Sequence, residues 1–308
     1  MRPVFADPKN DLMFHRIFGE EPHKPLLIAL LNDLLGLPPA RRILSLEYLP
    51  ATQAPRYEDQ KLSNVDVKCI DAAGIRYIVE MQVLNVEGFQ KRMVYNLCKA
   101  YAGQLQTGDV YSALDDVVAV AICDFLLWPS GRGEPDVPML SRWRMSEEAT
   151  GKAGFGQLRY VMLELPKYTA GANPVSVVDK WAYFFRETER FREVPAALSQ
   201  GAFAEALEVA RVGRFSEQEW EAYDRAELEE GSYRGLFTLA RREGREEGMQ
   251  EGMQQGTISS ILQVLAARGV AVDEPSRQRI VACGDATRLQ AWLARAVTVA
   301  GVTEMFGD

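Results

Sequence analysis

Histidine is almost absent from this chain: His15 and His23 are the only two, and neither has a partner at ligand spacing. A histidine-rich metal centre and a Ser-His-Asp hydrolase are therefore poorly supported, and any metal would sit on oxygen ligands. Cysteine is scarce as well. Cys69, Cys98, Cys123 and Cys283 lie far apart in apolar or helical patterns with no CxxC pair, which reads as buried small hydrophobes in a reducing compartment, not as disulfides or zinc ligands. Long apolar runs are missing too. LLIALL before Asn32 and VVAVAIC before Asp124 are far too short to span a bilayer, and the N-terminus has no uninterrupted apolar segment, so the expected location is the cytoplasm without membrane attachment. Finally, there is no excess of positive charge. A formal net charge of −8 argues against broad adhesion to nucleic acid, leaving only local basic pairs such as Arg41 with Arg42, Lys91 with Arg92, Arg142 with Arg144, and Arg241 with Arg242.

What is present is the composition of an ordinary globular protein, in 308 residues that allow one large core and a smaller C-terminal module. Leu12, Phe14, Ile17 and Phe18 suit a short amphipathic helix ended by Gly19. Residues 26–35 read as a second helix, stopped by Gly36 and the Pro38-Pro39 pair. A first strand is expected over Ile43 to Tyr48. The segment LSNVDVKCI then alternates, with Val65, Val67 and Cys69 on one face and Asn64, Asp66 and Lys68 on the other. After the turn Asp71-Ala72-Ala73-Gly74, IRYIVEMQV alternates again and places Ile78, Glu80 and Gln82 on a common face. This is a β-hairpin in which Asp66 falls opposite Val79 or Glu80, depending on the loop register.

A helix from about Gly88 to Gln106 supplies a crossover to a buried strand, VVAVAICDF. A Gly/Pro-rich loop from Pro129 to Pro138 precedes another strand, LRYVMLELP, closed by Pro166. That order describes an α/β core. From Val178 the pattern is helical almost throughout, with a change of domain expected near residue 195. Gly244, Gly248, Gly252 and Gly256 recur every four residues among charged and polar neighbours, a stripe that calls for close helix approach or tolerated flexibility. The charges between them exclude a membrane GxxxG reading.

Two acidic side chains on neighbouring strands, with a polar one two residues later, are what a hard divalent cation needs: oxygen ligands on a rigid sheet. Asp66 and Glu80 would bind Mg2+, the Met81 carbonyl could add a ligand, and open positions would take water and a phosphate oxygen. Any half-exposed antiparallel hairpin also has an alternating polar face, so spacing alone does not make this a site.

The order of several motifs adds to it. DPKNDLMFHRIFG, KLSNVDVK, IVEMQ, KRMVYNLCKAYAGQL, VMLELPKY followed by DKWAYFF, and the tail REGREEGMQEGMQQG together resemble the Rpn-like (recombination-promoting) nuclease and transposase group of the PD-(D/E)XK superfamily, over approximately Asp7 to Gly256. The resemblance implies a restriction-endonuclease-like α/β core, a mixed central sheet flanked by helices, over residues 1–195. An α-helical C-terminal region, 196–308, would serve oligomerisation or regulation. It also implies an Mg2+-dependent DNA endonuclease, with Mn2+ as a substitute, in the setting of recombination, mobile elements or phage defence. Asp66 matches the superfamily's first metal-binding aspartate and Glu80 its second acid. Gln82 stands where many relatives carry lysine, a departure shared by the group itself, and it can orient water by hydrogen bonds but brings no charge. Arg92, Tyr95 and Lys61 match positions that contact phosphate or brace the site. Asp11 is a further acid near the metal, or a helix-start charge; Asp124 matches the family, or forms a turn. DNA and a second copy of the chain, joined through the C-terminal helices, are the expected partners. The alternative is a catalytically weak or inactive DNA-binding protein that keeps the fold.

Overall fold

A computed structural model describes residues 2–53, 61–131 and 135–307. It begins with helix α1 (Asp11–Phe18), capped by the Asn10 side chain on the Leu12 N–H, and α2 (Lys24–Leu35). Gly36 ends α2 in a left-handed conformation with φ 64°, which favours glycine. The strands β1 (Leu46–Leu49), β2 (Thr52–Gln53), β3 (Ser63–Asn64), β4 (Val67–Asp71) and β5 (Arg76–Gln82) follow, then α3 (Phe89–Ala102), β6 (Val117–Cys123), β7 (Leu140–Trp143) and β8 (Leu158–Glu164). The rest is helical: α4 (Val177–Glu187), α5 (Gly201–Val209), α6 (Glu217–Ala267), α7 (Glu274–Val281) and α8 (Ala286–Ala296).

Six strands form one mixed sheet in the order β1-β4-β5-β6-β8-β7, while β2 and β3 pair separately. β1, β4 and β5 are antiparallel neighbours, β5-β6 and β6-β8 are parallel, and β7 closes the far edge antiparallel to β8. The parallel pairs need crossovers, and α3 provides the one from β5 to β6. One face of the sheet carries the larger core, where Tyr77, Val79, Val118, Val120 and Val161 meet Phe14, Phe18, Leu27, Trp181 and Phe185 from the helices. The other face carries a smaller core, where Ile78, Ala119 and Ala121 meet Phe89, Met93 and Leu97 of α3. β6 is buried at all seven positions, which explains its unbroken apolar sequence.

Several expectations need correction. The first strand starts at Leu46, three residues later than the apolar pattern suggested, because Ile43 is buried as part of the connection, its backbone clasped by Asn32. The crossover helix spans Phe89–Ala102 and is shorter than expected, with Gly88 in a left-handed conformation before it. LSNVDVKCI is not one strand: it bends at Asp66 between β3 and β4. The bend sends Val65 into the α3-side core while Val67 and Cys69 enter the opposite one, so these three do not share a face. Cys98 is exposed on α3, unlike the other three cysteines. β7 was not foreseen, since its sequence LSRW carries little strand patterning. The Gly/Pro-rich interval lies partly outside the described residues.

Contacts divide the chain into two compact units, Met1–Glu230 and Gly231–Asp308. The division falls later than the point near residue 195 where the pattern turns helical, because Phe203, Ala206 and Leu207 of α5 and Tyr223 of α6 are buried in the larger core. In the second unit Ile261, Leu265, Ile280, Leu289, Trp292 and Met305 form their own core. At Gly244, Gly248, Gly252 and Gly256 a built Cβ would meet nothing within 4 Å, so the stripe mediates no close helix approach among the described residues. No helix of the described residues is long and apolar enough to cross a membrane.

Candidate active site

β5 reads Tyr-Ile-Val-Glu-Met across its centre, and all five residues, Tyr77 to Met81, are buried. A carboxylate in such a run is costly unless something compensates its charge. Glu80 is only 4% exposed and lies on the α3 side of the sheet, with Ile78 before it and Gln82 after it. The hairpin register pairs Val67 with Val79, so Asp66, one residue outside the last pair, faces Glu80. Of the two registers the sequence left open, this is the one found. The turn between the strands is tight: Asp71 accepts from the Ala73 and Ile75 N–H groups, and Gly74, with φ +86°, sits where a Cβ would strike the Asp115 carboxylate at 2.7 Å.

The Asp66 bend turns its carboxylate back onto β5, where Oδ2 accepts the Met81 N–H at 2.6 Å. In an antiparallel pair the N–H and C=O of one residue point to the same side, so the Met81 carbonyl looks toward the same edge. Gln82, the next residue, points its carbonyl the other way and accepts the Asp124 N–H at 2.9 Å. One buried acid, one bent-back acid and one carbonyl thus converge at the end of β5.

Helix α3 covers the pair. Asn96 lies in the helix's buried stripe with Met93, Leu97 and Ala100, and its Nδ2 donates to Glu80 Oε1 at 3.3 Å. One turn earlier, Arg92 donates from Nη2 to Gln82 Oε1 and lies 3.9 Å from Glu80 Oε2. The Gln82 Nε2 donates to the Leu84 carbonyl at 2.9 Å, so both ends of that amide are engaged. Tyr95 and Lys61 are brought near each other, though through the Lys61 backbone: the Lys61 carbonyl accepts from the Tyr95 hydroxyl at 3.2 Å and from Lys99 Nζ at 2.7 Å.

The electrostatics follow from that packing. Burial pushes the Glu80 carboxyl up to about 8, and the Asp66 charge adds to the rise, while Arg92 and Asn96 oppose it. Burial likewise raises Asp66 to about 6, against the Met81 N–H and with Asp11 contributing upward. Asp11, at the start of α1, is itself raised by burial. It lies close enough to load both acids electrostatically, yet among the described residues no group of three or more His, Cys, Asp or Glu is gathered to hold a metal. Asp11 is a neighbour of the pair in this geometry. Two raised carboxyls with one guanidinium 3.9 Å away form a site short of positive charge. The Asn96 Oδ1, buried without a donor beside them, is where an ordered water would be held. Both features fit a divalent cation with attached water on oxygen ligands.

Two residues escaped the sequence reading. Asn96 could have been found as the one polar residue in an apolar helical stripe. Lys9 is nearly buried and reaches Asp7 at 3.2 Å, Asp124 at 3.9 Å and the Phe185 carbonyl at 3.4 Å, fastening the segment before α1 to the end of β6. Asp124 accordingly serves this fastening on the far face of the sheet from Glu80.

No curated protein and no solved structure matches the chain. A family model described as PD-(D/E)XK nuclease family transposase matches residues 8–230. That span takes in the whole sheet, α1 to α5 and every residue of the candidate site. The mixed sheet flanked by helices is the PD-(D/E)XK α/β fold, and the chain belongs to the PD-(D/E)XK nuclease family transposases.

Proposed function

We propose that the protein is a divalent-metal-dependent DNA endonuclease that hydrolyses phosphodiester bonds at the end of β5. The convergence of the part-buried Asp66, the buried Glu80 and the Met81 backbone carries this reading. Asp66, Glu80 and the Met81 carbonyl would hold Mg2+, or Mn2+ in its place. Bound there, the ion would polarise a phosphate oxygen and lower the pKa of water. Gln82 orients water through its amide and holds the Arg92 side chain. The positive charge that lysine brings in many relatives comes instead from Arg92, half-exposed and beside both Gln82 and Glu80, where it can steady the phosphate. Tyr95 and Lys61 extend the substrate side of the site. The C-terminal helices would join copies of the chain or regulate access.

A second reading, a DNA-binding protein with little or no turnover, draws on the Gln82 amide being occupied by Arg92 and Leu84 at once. Calorimetry separates the two. For the enzyme, Mn2+ gives a saturable signal that disappears in Glu80→Ala and supports plasmid cleavage. DNA binding that is indifferent to divalent ions, with no ion signal in the wild type, would favour the second reading.

A further inference from the structure

Two of the local basic pairs, Arg41-Arg42 and Arg142-Arg144, are 100 residues apart at their nearest in sequence, and neither belongs to the candidate site. The fold brings them to one trough. Where Gly36 stops α2, the chain from Leu37 to Ser45 crosses the starts of β5, β6 and β8 and leaves a cavity of about 550 Å³. A second cavity of about 320 Å³ adjoins it. Leu35, Leu37, Val118 and Arg159 line both. Arg41 and Arg42 line only the first, and Arg142 and Arg144 only the second. Tyr77 and Val118 belong to the larger core. The trough is thus on the opposite sheet face from Glu80 and at the opposite strand ends.

The charges along it are unevenly satisfied. Asp71 is spent on the Tyr77 hydroxyl at 2.8 Å and on its own turn. Arg142 donates twice to the Leu34 carbonyl, at 3.1 and 2.7 Å, closing the end of α2. Arg42 pairs loosely with Asp33 at 3.4 Å. Arg159 meets Asp116 through Nη2 alone at 3.1 Å, and its Nε is buried without a partner. The side chains of Arg41 and Arg144 make no hydrogen bond or ion pair among the described residues. Leu44, 87% exposed, adds an apolar lip to the first cavity.

Guanidinium groups at both ends and in the middle of an apolar floor do not suit a ligand whose charge sits at one end, such as a mononucleotide. They match carboxylates spaced along a chain whose other side chains are apolar. We propose that this trough docks an acidic peptide segment bearing leucine-like side chains, supplied by a partner protein. The patch is positive on a chain of net charge −8, so it selects for such a partner against the charge of the remaining surface.

The test uses the full chain as bait for a random twelve-residue peptide library, followed by fluorescence anisotropy on the enriched sequences. Selected peptides should combine Glu or Asp with Leu. Their affinity should fall at least about tenfold in the Arg41→Glu/Arg144→Glu variant, and change little in the Arg41→Lys/Arg144→Lys variant. Plasmid cleavage should survive both pairs of substitutions, so the result is independent of the nuclease reading. The proposal is overturned if no acidic sequence is enriched, or if binding is unchanged in the Glu variant. It is also overturned if a thymidine oligonucleotide occupies the trough with the same arginine dependence, which would make it a nucleic-acid surface.

Discussion

Replacing Asp66 with Asn is expected to reduce nicking of supercoiled plasmid in Mg2+ by about 100- to 1,000-fold. The substitution keeps the volume and an oxygen for the Met81 N–H, at 2.6 Å in the native chain, so the bend before β4 survives. What it removes is one of the two charges that would grip the ion. Lewis-acid stabilisation of several kcal/mol corresponds to that loss of rate. The substitution also relieves a buried carboxyl raised to about 6, so the folded variant should be at least as stable as the wild type in thermal melts without metal. Low activity with undiminished stability distinguishes a site residue from a structural one. Equal plasmid cutting by the variant and the wild type would remove Asp66 from the site.

The second large effect is on pH. Both acids have raised pKa values in the fold, Asp66 at about 6 and Glu80 at about 8, against ordinary values of 3.8 and 4.5. Between those limits the metal-free fold keeps protons that the unfolded chain has released. The fold's advantage from them is therefore full below about pH 4 and declines as pH rises through 6 and 8. A divalent ion needs both carboxylates ionised and must displace what remains bound. Between about pH 6 and 8 that is one proton, so ion affinity should rise about tenfold per pH unit and level off above 8. Titration calorimetry of Mn2+ at about pH 6.5 and 7.5, in buffers of different ionisation enthalpy, reads both the affinity ratio and the proton released. Glu80→Gln should abolish that proton release and flatten the metal-free stability profile above pH 6. An affinity independent of pH would contradict the arrangement of the two acids.

The parts of this site that lie on regular strands were readable from the chain. IRYIVEMQV carries its two faces in its alternation, and Ile78, Glu80 and Gln82 share one of them as expected. The meeting of Asp66 with Glu80 was left between two registers, because a turn such as Asp71 to Gly74 admits more than one pairing. The bend at Asp66 was invisible for a physical reason. Both faces of the sheet are covered, so Val65 stays buried whether the chain bends or not, and the polar-apolar string is the same. The family pattern pointed to Arg92 as a phosphate contact. Its hold on Gln82 and its nearness to Glu80 depend on the packing of α3 across the sheet, which helical spacing does not encode. The trough was beyond reach for a similar reason, as Arg41 and Arg144 come to line its two ends only through the order of the strands in the sheet. At the other end of the chain, the glycine stripe is regular in sequence, yet a Cβ at any of its four positions would meet nothing within 4 Å among the described residues.

The most direct trial of the two-acid site is a crystal structure of the wild-type protein soaked in Mn2+, read by anomalous scattering. The account predicts one strong peak at the end of β5, about 2.2 Å from oxygens of Asp66 and Glu80 and within reach of the Met81 carbonyl, and no peak there in Glu80→Ala. A manganese ion bound elsewhere, or no anomalous peak beside the two carboxylates in saturating metal at about pH 8, would contradict it.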